Sequence, residues 1–473
     1  MRKFLLRSVI VLAVLAALGG IALLIERHSA KAAWETYATA AKARGVKLSL
    51  KDEMLQSPIP DEENFAAVPI FAQFLQPGAT DETGRDLFDL PKPAPKAGRA
   101  NPPDLEAWRS HLIEEKWLAP DAPEATPAAI LRVLDEKFGT DWQQLREAAT
   151  RPQSRFPVRW EKNFGAPLNF LSPLQRALKI CVLRADARLA QDDGPGAYNE
   201  LHLLLRLHWA LEEEPTLICG LVRKSMLHVA METIRKGLVA RVWGDTMLLR
   251  IDADLAKLQP LAGHRWAMES ERGMLNDFHA WAQTADSKSV NTMLAPMGGG
   301  FGSGLITAVL PKSWLYRNQL RCNQYVDEAR ARMDVTDGRY IPTAPGESVM
   351  NPAPGRLERL NYALFYITTP VYSLIEKTAL FTHTRVQCAR TAVALERWRL
   401  AQGAYPEALA ELVPGLLSVV PHDVMDGLPL RYRRTEEGGY LLYSIGIDAK
   451  DGGGIGTKPG KSDKDAPDWV WKP

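Results

Sequence analysis

The first apolar pattern in the chain is an unbroken block. Ser8 to Ile25 (SVIVLAVLAALGGIALLI) carries no charge, and Phe4 to Leu6 extend it towards the N-terminus. A helix rises about 1.5 Å per residue and satisfies its own backbone polar groups, so the block predicts a transmembrane helix nearly matching a hydrocarbon core of roughly 30 Å. Arg2, Lys3 and Arg7 precede it. Positive residues stay on the cytoplasmic side, which predicts a single-pass protein of the inner (cytoplasmic) membrane with its C-terminal body periplasmic or otherwise extracytoplasmic. Arg27, Lys31, Lys42 and Arg44 follow and weaken that asymmetry. The alternative is a cleaved signal peptide ending at Ala30-Lys31-Ala32. Against it, the block exceeds the roughly 7–15 apolar residues of a signal, and Glu26-Arg27-His28 intrude before the cleavage site.

Further along, the pattern becomes periodic. Leu174, Leu178, Cys181, Val182, Ala185 and Leu189 recur at spacings of three and four, which predicts one apolar stripe on a helix over 173–190. Asp192-Asp193-Gly194-Pro195-Gly196 stops it and turns the backbone. A second helix, Ala197 to Glu213, places Leu201, Leu204, Leu205, His208 and Leu211 near one face. Further helices are expected from Thr216 to Val242 and from Thr246 to Leu258, with Pro215 and Pro260 between them. Residues 104–150 read as short helices broken by Pro120, Pro123 and Pro127, and a short helix is expected from Asn64 to Leu75, capped by Asp61 or Glu62. The first hairpin loosely resembles a tetratricopeptide unit, but no second copy follows at about 34 residues.

Two stretches interrupt this order. Residues 77–103 are rich in Pro, Gly and charge, and the glycines of 295–304 read as a hinge or mobile loop. The expected fold is therefore mainly α: an N-terminal transmembrane helix, a helical bundle or irregular solenoid, and a small α+β C-terminal domain with a long helix and a β-hairpin. The ranges are 1–27 for the anchor, 28–103 for a juxtamembrane helix and Pro-rich linker, 104–294 for the helical domain, 295–370 for a Gly-rich loop and connector, and 371–473 for the α+β domain.

Composition narrows the function classes. Lys+Arg number 58 against 56 for Asp+Glu, so no basic excess points to nucleic acid. Cys181, Cys219, Cys322 and Cys388 are too dispersed for a zinc or redox C-x-x-C pair. Gly460-Lys461-Ser462 ends like a phosphate-binding loop, but Ile455 stands where that loop needs glycine. No H-E-x-x-H, G-x-S-x-G or G-x-G-x-x-G is present. His202 and His208 are six apart, on different helix faces, and His208 reads as a packed core histidine. Glu212-Glu213-Glu214 before Pro215 read as solvated charges.

The C-terminal region carries the informative constellation. Tyr372 to Gln402 holds neither Pro nor Gly and predicts a long helix ended by Gly403. A short helix between Pro406 and Pro414 follows. Asp426-Gly427 predicts a turn, and Leu430 to Arg434 with Tyr440 to Ser444 predict a hairpin. The succession Leu395-Glu396-Arg397-Trp398, Gly403-Ala404-Tyr405-Pro406, Asp426-Gly427-Leu428-Pro429-Leu430-Arg431-Tyr432 and Leu442-Tyr443-Ser444-Ile445-Gly446-Ile447-Asp448 resembles the globular domain of type II secretion major pseudopilins, over about a fifth of the sequence. The P-D-E-x-N-F-A segment at Pro60 and the terminal Asp468-Trp469-Val470-Trp471 also resemble those of uncharacterised, signal-anchored bacterial envelope proteins. The pseudopilin resemblance implies the domain fold and a calcium loop, with Asp448 at the matching position and Asp451 and one of Asp463, Asp465 or Asp468, foremost Asp468, as partners. Calcium takes roughly six to eight oxygen ligands, whereas acidic and Lys residues here nearly balance, so a solvated tail pinned by Trp469 and Trp471 is the alternative.

Together these features lead to the expectation of a membrane-tethered envelope protein with a binding or structural role. Lipid would contact residues 4–25, with other envelope proteins as partners. The alternatives are a membrane-anchored hydrolase with its site between helices and an accessory secretion component.

Overall fold

The computed structural model describes residues 2–50, 59–71, 87–91, 104–158, 160–294, 312–342, 354–368, 370–457 and 462–472. The glycine segment of 295–304 and all of 77–103 apart from 87–91 lie outside them. The described part is mainly helical. Helix α1 spans Arg2–Ala43, α2 Leu105–Glu114, α3 Thr126–Ala148, α4 Leu171–Leu189, α5 Gly194–Trp209, α6 Leu217–Val239, α7 Asp245–Ala256 and α8 Pro260–Ala282. Then follow α9 (Ser287–Leu294), α10 (Lys312–Ala331), a two-stranded ribbon β1–β2 (Met333–Asp334 and Arg339–Tyr340), α11 (Arg356–Asn361), α12 (Ala363–Thr368) and α13 (Pro370–Gln402). An antiparallel sheet of β3 (Arg431–Arg434), β4 (Tyr440–Ser444) and β5 (Trp469–Trp471) completes the fold.

The transmembrane helix expected at the N-terminus is corrected by this structure. No helix among the described residues is long and apolar enough to cross a membrane, and α1 is not a transmembrane helix. The apolar block alone rises about 27 Å, short of a core of roughly 30 Å. Moreover, α1 does not end where the block ends. It continues through Glu26, Arg27, Lys31 and Glu35 to Ala43 and packs along α10. Glu26 pairs with Arg317 at 3.0 Å, and eleven residues on, the Tyr37 hydroxyl donates to Asp327 at 2.7 Å, so the two helices run parallel. The earlier part of α1 presents Ile10, Val14, Leu18, Leu24 and Ile25 outward, the last two 66% and 65% exposed.

The periodic helices form as their patterns predict. Asp193 caps α5 by accepting from the Gly196 amide at 2.9 Å, and Thr216 caps α6 by accepting from Cys219. Asp192 adopts φ +55°, the left-handed turn that the D-D-G-P-G sequence announces. Pro127 sits in the first turn of α3, where its missing N–H costs nothing, so it starts one long helix and does not break a run of short ones. Asn64, not Asp61 or Glu62, is the cap that follows the P-D-E segment, and two 3-10 turns succeed it, Phe65–Ala67 and Pro69–Phe71.

One apolar core joins α3 to α7 with the C-terminal module. It runs from Phe65 and Leu134 through Leu204 and Leu255 to Val386, Leu395, Leu442 and Trp471. Helix α13 lies against α6, α7 and α8 and also carries the sheet. Arg385 stacks over Trp471 at 4.6 Å, and Phe381 meets Trp469 edge-on at 5.4 Å. The predicted hairpin is present in register Arg431↔Tyr443 to Arg434↔Tyr440, and the D-W-V-W terminus supplies a third strand on β4. All four cysteines are buried free thiols.

Candidate functional site

Two adjoining pockets, of ≈ 500 and ≈ 520 Å³, share Glu212, Glu213 and Lys257 and make one groove. The connector before α4 supplies Ser154 and Arg155, the end of α5 supplies His202, Arg206 and Trp209, and the α7–α8 junction supplies Lys257 and Trp266. These elements meet because α4, α5 and α6 all pack on one another and α7 packs on α5.

Charge in the groove is organised around one buried carboxylate, Asp254, and two exposed ones, Glu212 and Glu213. Asp254 is buried and accepts from the Tyr198 hydroxyl at 2.9 Å; its Oδ2 also lies 2.9 Å from His202 Nδ1. Lys257 stands 3.4 Å from its other oxygen. Burial works to raise the Asp254 pKa, but the bonds from His202 and Tyr198 outweigh it and hold the carboxyl below its usual range. Glu212 pairs with Arg223 at 3.2 Å, and Glu213 with Arg155 at 3.0 Å. Arg206 differs from these cations. It donates to the Arg151 carbonyl at 2.5 Å and stacks over Trp209 at 5.3 Å, yet forms no ion pair among the described residues. Burial lowers its pKa. Ser154 is buried, and its hydroxyl has no hydrogen-bond partner.

Beneath the groove lies a layer of buried titratable groups. Glu212 and Glu213 are exposed, as expected for solvated charges, but Glu214 is only 2% exposed, which corrects that expectation for the third glutamate. Its Oε1 accepts from the Phe156 amide at 2.6 Å, its Oε2 has no partner, and burial pushes its pKa up to about 8. Lys224 donates to the Gly220 carbonyl at 3.3 Å, and burial, then the Arg223 charge, bring its pKa down to about 7. His208 sits in the core as its sequence neighbourhood suggests, with Nδ1 3.0 Å from the Arg223 carbonyl. Both ring nitrogens of His264 are buried without a hydrogen-bond partner.

The three aspartates singled out for calcium all lie around the glycine loop after β4. Asp468 is fully buried and accepts three amides, from Gly452 at 3.1 Å, Gly454 at 2.9 Å and Ile455 at 2.7 Å. Asp451 accepts from the Gly453 amide at 2.9 Å and the Tyr443 hydroxyl at 3.0 Å. Asp448 accepts from the Lys450 amide at 3.2 Å. N–H and O–H donors thus engage lone pairs that a cation would need. Among the described residues no group of three or more His, Cys, Asp or Glu side chains is placed to hold a metal ion. The geometry makes Asp468 the pin of this loop, since each amide bond to a carboxylate contributes more than a neutral one. Asp468→Asn is expected to destabilise the protein by about 2 kcal/mol, because an NH₂ group then faces amide donors. Urea unfolding would read this as a lowered midpoint with an unchanged m-value.

No protein-family model, curated protein or solved structure matches the sequence. The groove is not legible in the sequence because its residues come from three segments spread over more than a hundred positions. The only local signal is Glu214-Pro215, where proline forces the preceding residue towards extended backbone and so turns that side chain away from its two neighbours.

Proposed function

We propose that this is a binding or structural protein of the cell envelope. Its helical body holds the C-terminal module rigidly, and the groove offers a second surface to a partner. The observation that carries this reading is the shared core: α13 belongs at once to the helical body and to the sheet. A module built in this way is presented at a fixed angle, which suits recognition by other envelope proteins. The pseudopilin-like reading of the module is supported by the order of long helix, hairpin and aspartate-pinned loop. Photocrosslinkers at Lys257 on the groove and at Leu428, 58% exposed beside β3, test the proposal in native envelopes. Discrete adducts to one or a few proteins are expected. Absence of adducts from both positions overturns it.

Lipid contact through residues 4–25 is part of the same proposal, supported by the outward apolar side chains of α1 and by the basic residues at its start. Flotation with vesicles containing anionic lipid is the check: the protein is expected to float, and the double variant Leu18→Asp, Leu24→Asp to remain with the unbound fraction. The calcium proposal drawn from the pseudopilin resemblance is tested by the thermal midpoint, since a ligand that binds only the folded state at 100 times its Kd stabilises by about 2.7 kcal/mol. No shift at millimolar calcium ends it.

A hydrolase remains the second reading because the Asp254–His202 pair and the unpartnered Ser154 hydroxyl line or adjoin one groove. A carboxylate that orients a histidine is the arrangement that lets an imidazole act as general base. Labelling of Ser154 by a fluorophosphonate, lost in Ser154→Ala, is the result this reading requires.

A further inference from the structure

Resting on the reading of the groove as a partner site, we propose that it takes a carboxylate flanked by an apolar group, with Arg206 as the principal anchor. The argument begins with charge pairing inside the groove. Arg155 is matched by Glu213, Arg223 by Glu212, and Lys257 shares Asp254 with His202. Arg206 alone among these cations has no carboxylate within ion-pair distance, although it is half-buried; Asp254 and Glu212 act on it only from farther off. One guanidinium nitrogen is committed to the Arg151 carbonyl, and Nε is buried without an acceptor. A desolvated cation in this state gains more from an incoming anion than an exposed one does, because the cost of removing its water has already been met by folding.

Three further features set the ligand class. Ser154 lines the same groove, and its unpartnered hydroxyl, covered in the free protein, can donate to a carboxylate oxygen once its side chain rotates outward. Trp209 lines the groove with its ring 5.3 Å from the Arg206 guanidinium and 6.0 Å from the Lys257 ammonium, so an apolar group beside the anion meets an aromatic side chain. Glu212 and Glu213 line the groove as well, which penalises a dianion such as phosphate relative to a singly charged carboxylate. The adjoining pocket continues past Gly263 to Trp266, leaving room for the residues that precede the carboxylate in an extended peptide.

Such a carboxylate has two sources, the C-terminus of a polypeptide or an acidic side group. Titration calorimetry of the full-length protein with acetyl-Ala-Ala-Leu, its C-terminal amide and acetyl-Ala-Glu-Leu-amide separates them. The free acid is expected to bind at least about tenfold more tightly than the amide, the equivalent of about 1.4 kcal/mol. If the Glu peptide matches the free acid, the ligand is a glutamate or aspartate carboxylate as readily as a terminus; if it matches the amide, a terminus is required. Arg206→Gln is expected to erase the preference. Lys257→Gln, on an exposed side chain, is expected to reduce it while leaving the fold untouched. Trp209→Ala should weaken acid and amide alike. Equal affinity for acid and amide, an Arg206→Gln variant that keeps the preference, binding of inorganic phosphate as tight as that of the acid, or no binding of any peptide would each overturn the inference. Partner adducts at Lys257 without any carboxylate preference would leave the groove as a partner site and remove only its anionic specificity.

Discussion

Replacing Asp327 with alanine is expected to cost the fold about 3 kcal/mol, the lower end of the range for removing one partner of a buried ion pair, because Arg272 is buried while Asp327 is partly exposed. Asp327 is the meeting point of three helices. Its Oδ1 accepts from Arg272 of α8 at 2.7 Å, and its Oδ2 accepts from Tyr37 at 2.7 Å and from Arg44 at 3.3 Å, the residue just beyond α1. Arg272 is 2% exposed and its Nε already lacks an acceptor, so the alanine variant leaves a guanidinium in the interior with no counter-charge. The Tyr37 hydroxyl, whose pKa burial and then the Asp327 bond raise well above the usual value, loses its acceptor at the same time. Urea unfolding measures the total loss. Hydrogen exchange over residues 30–50 tests its distribution: the packed end of α1 is expected to lose protection well before α4 to α6. A double variant, Asp327→Ala with Arg272→Met, should recover much of the stability, because an apolar side chain of similar length does not need the carboxylate. If the single variant unfolds at the wild-type midpoint, the hub is not what holds α1 to the body.

The helices legible in the sequence are those whose buried faces are apolar. In α4, Leu174, Leu178, Cys181 and Ala185 are all buried, so burial and periodicity coincide. Helix α10 is invisible for the opposite reason. Its interior face carries Asn318, Gln319 and Asn323, whose amides bond backbone carbonyls and Asn276 of α8: the Asn323 amide donates to the Asn276 carbonyl oxygen at 2.7 Å, its own oxygen accepts from Asn276 at 3.2 Å, and Asn318 donates to the Trp314 and Asn361 carbonyls. Buried amides that bond across a helix pair cost little, but they erase the 3.6-residue hydrophobic signal on which the reading depends. The C-terminal module is legible because turns fix it locally. Gly403, Gly427 and Gly438 all take positive φ, each where the sequence places a helix end or a turn. The third strand has no such local signal, since Trp469 and Trp471 pair with residues some twenty-five positions earlier.

The N-terminal expectation fails on a different point. The uncharged block ends at Ile25, whereas the helix ignores that boundary and its polar continuation finds partners on α10. Hydropathy reports the preference of a segment for apolar surroundings; it does not report what the following residues of the same helix pack against. The groove is hidden for a related reason. Asp254, His202 and Ser154 are each unremarkable in their own windows; the α5–α7 contact brings Asp254 against His202, and the connector before α4 adds Ser154 to the surface that His202 lines.

Glu214→Gln is expected to make the protein more stable at pH 8 and to leave it almost unchanged at pH 4. The carboxyl is buried with one oxygen unpartnered, and its pKa stands at about 8 against an ordinary 4.5; burial and the neighbouring Glu213 raise it, while the Phe156 amide and Arg155 pull the other way. The folded state therefore binds a proton that the unfolded polypeptide releases between pH 4.5 and about 8. In that window the unfolded state holds fewer protons, so the contribution of Glu214 falls as pH rises; it is fully present below 4.5 and lost once the folded group ionises near 8. At 1.36 kcal/mol per unit, the loss is on the order of 4 kcal/mol. Glutamine keeps the carbonyl that accepts from Phe156 and cannot ionise. Lys224 and the other buried titratable groups contribute their own slopes, but these are common to both proteins and cancel in the difference. Urea midpoints of wild type and variant, taken at half-unit steps from about pH 4 to about pH 8.5, should diverge steadily once the unfolded carboxyl has ionised. Parallel curves across the range would mean that Glu214 reaches water in the folded state, and that the floor of the groove is open to solvent.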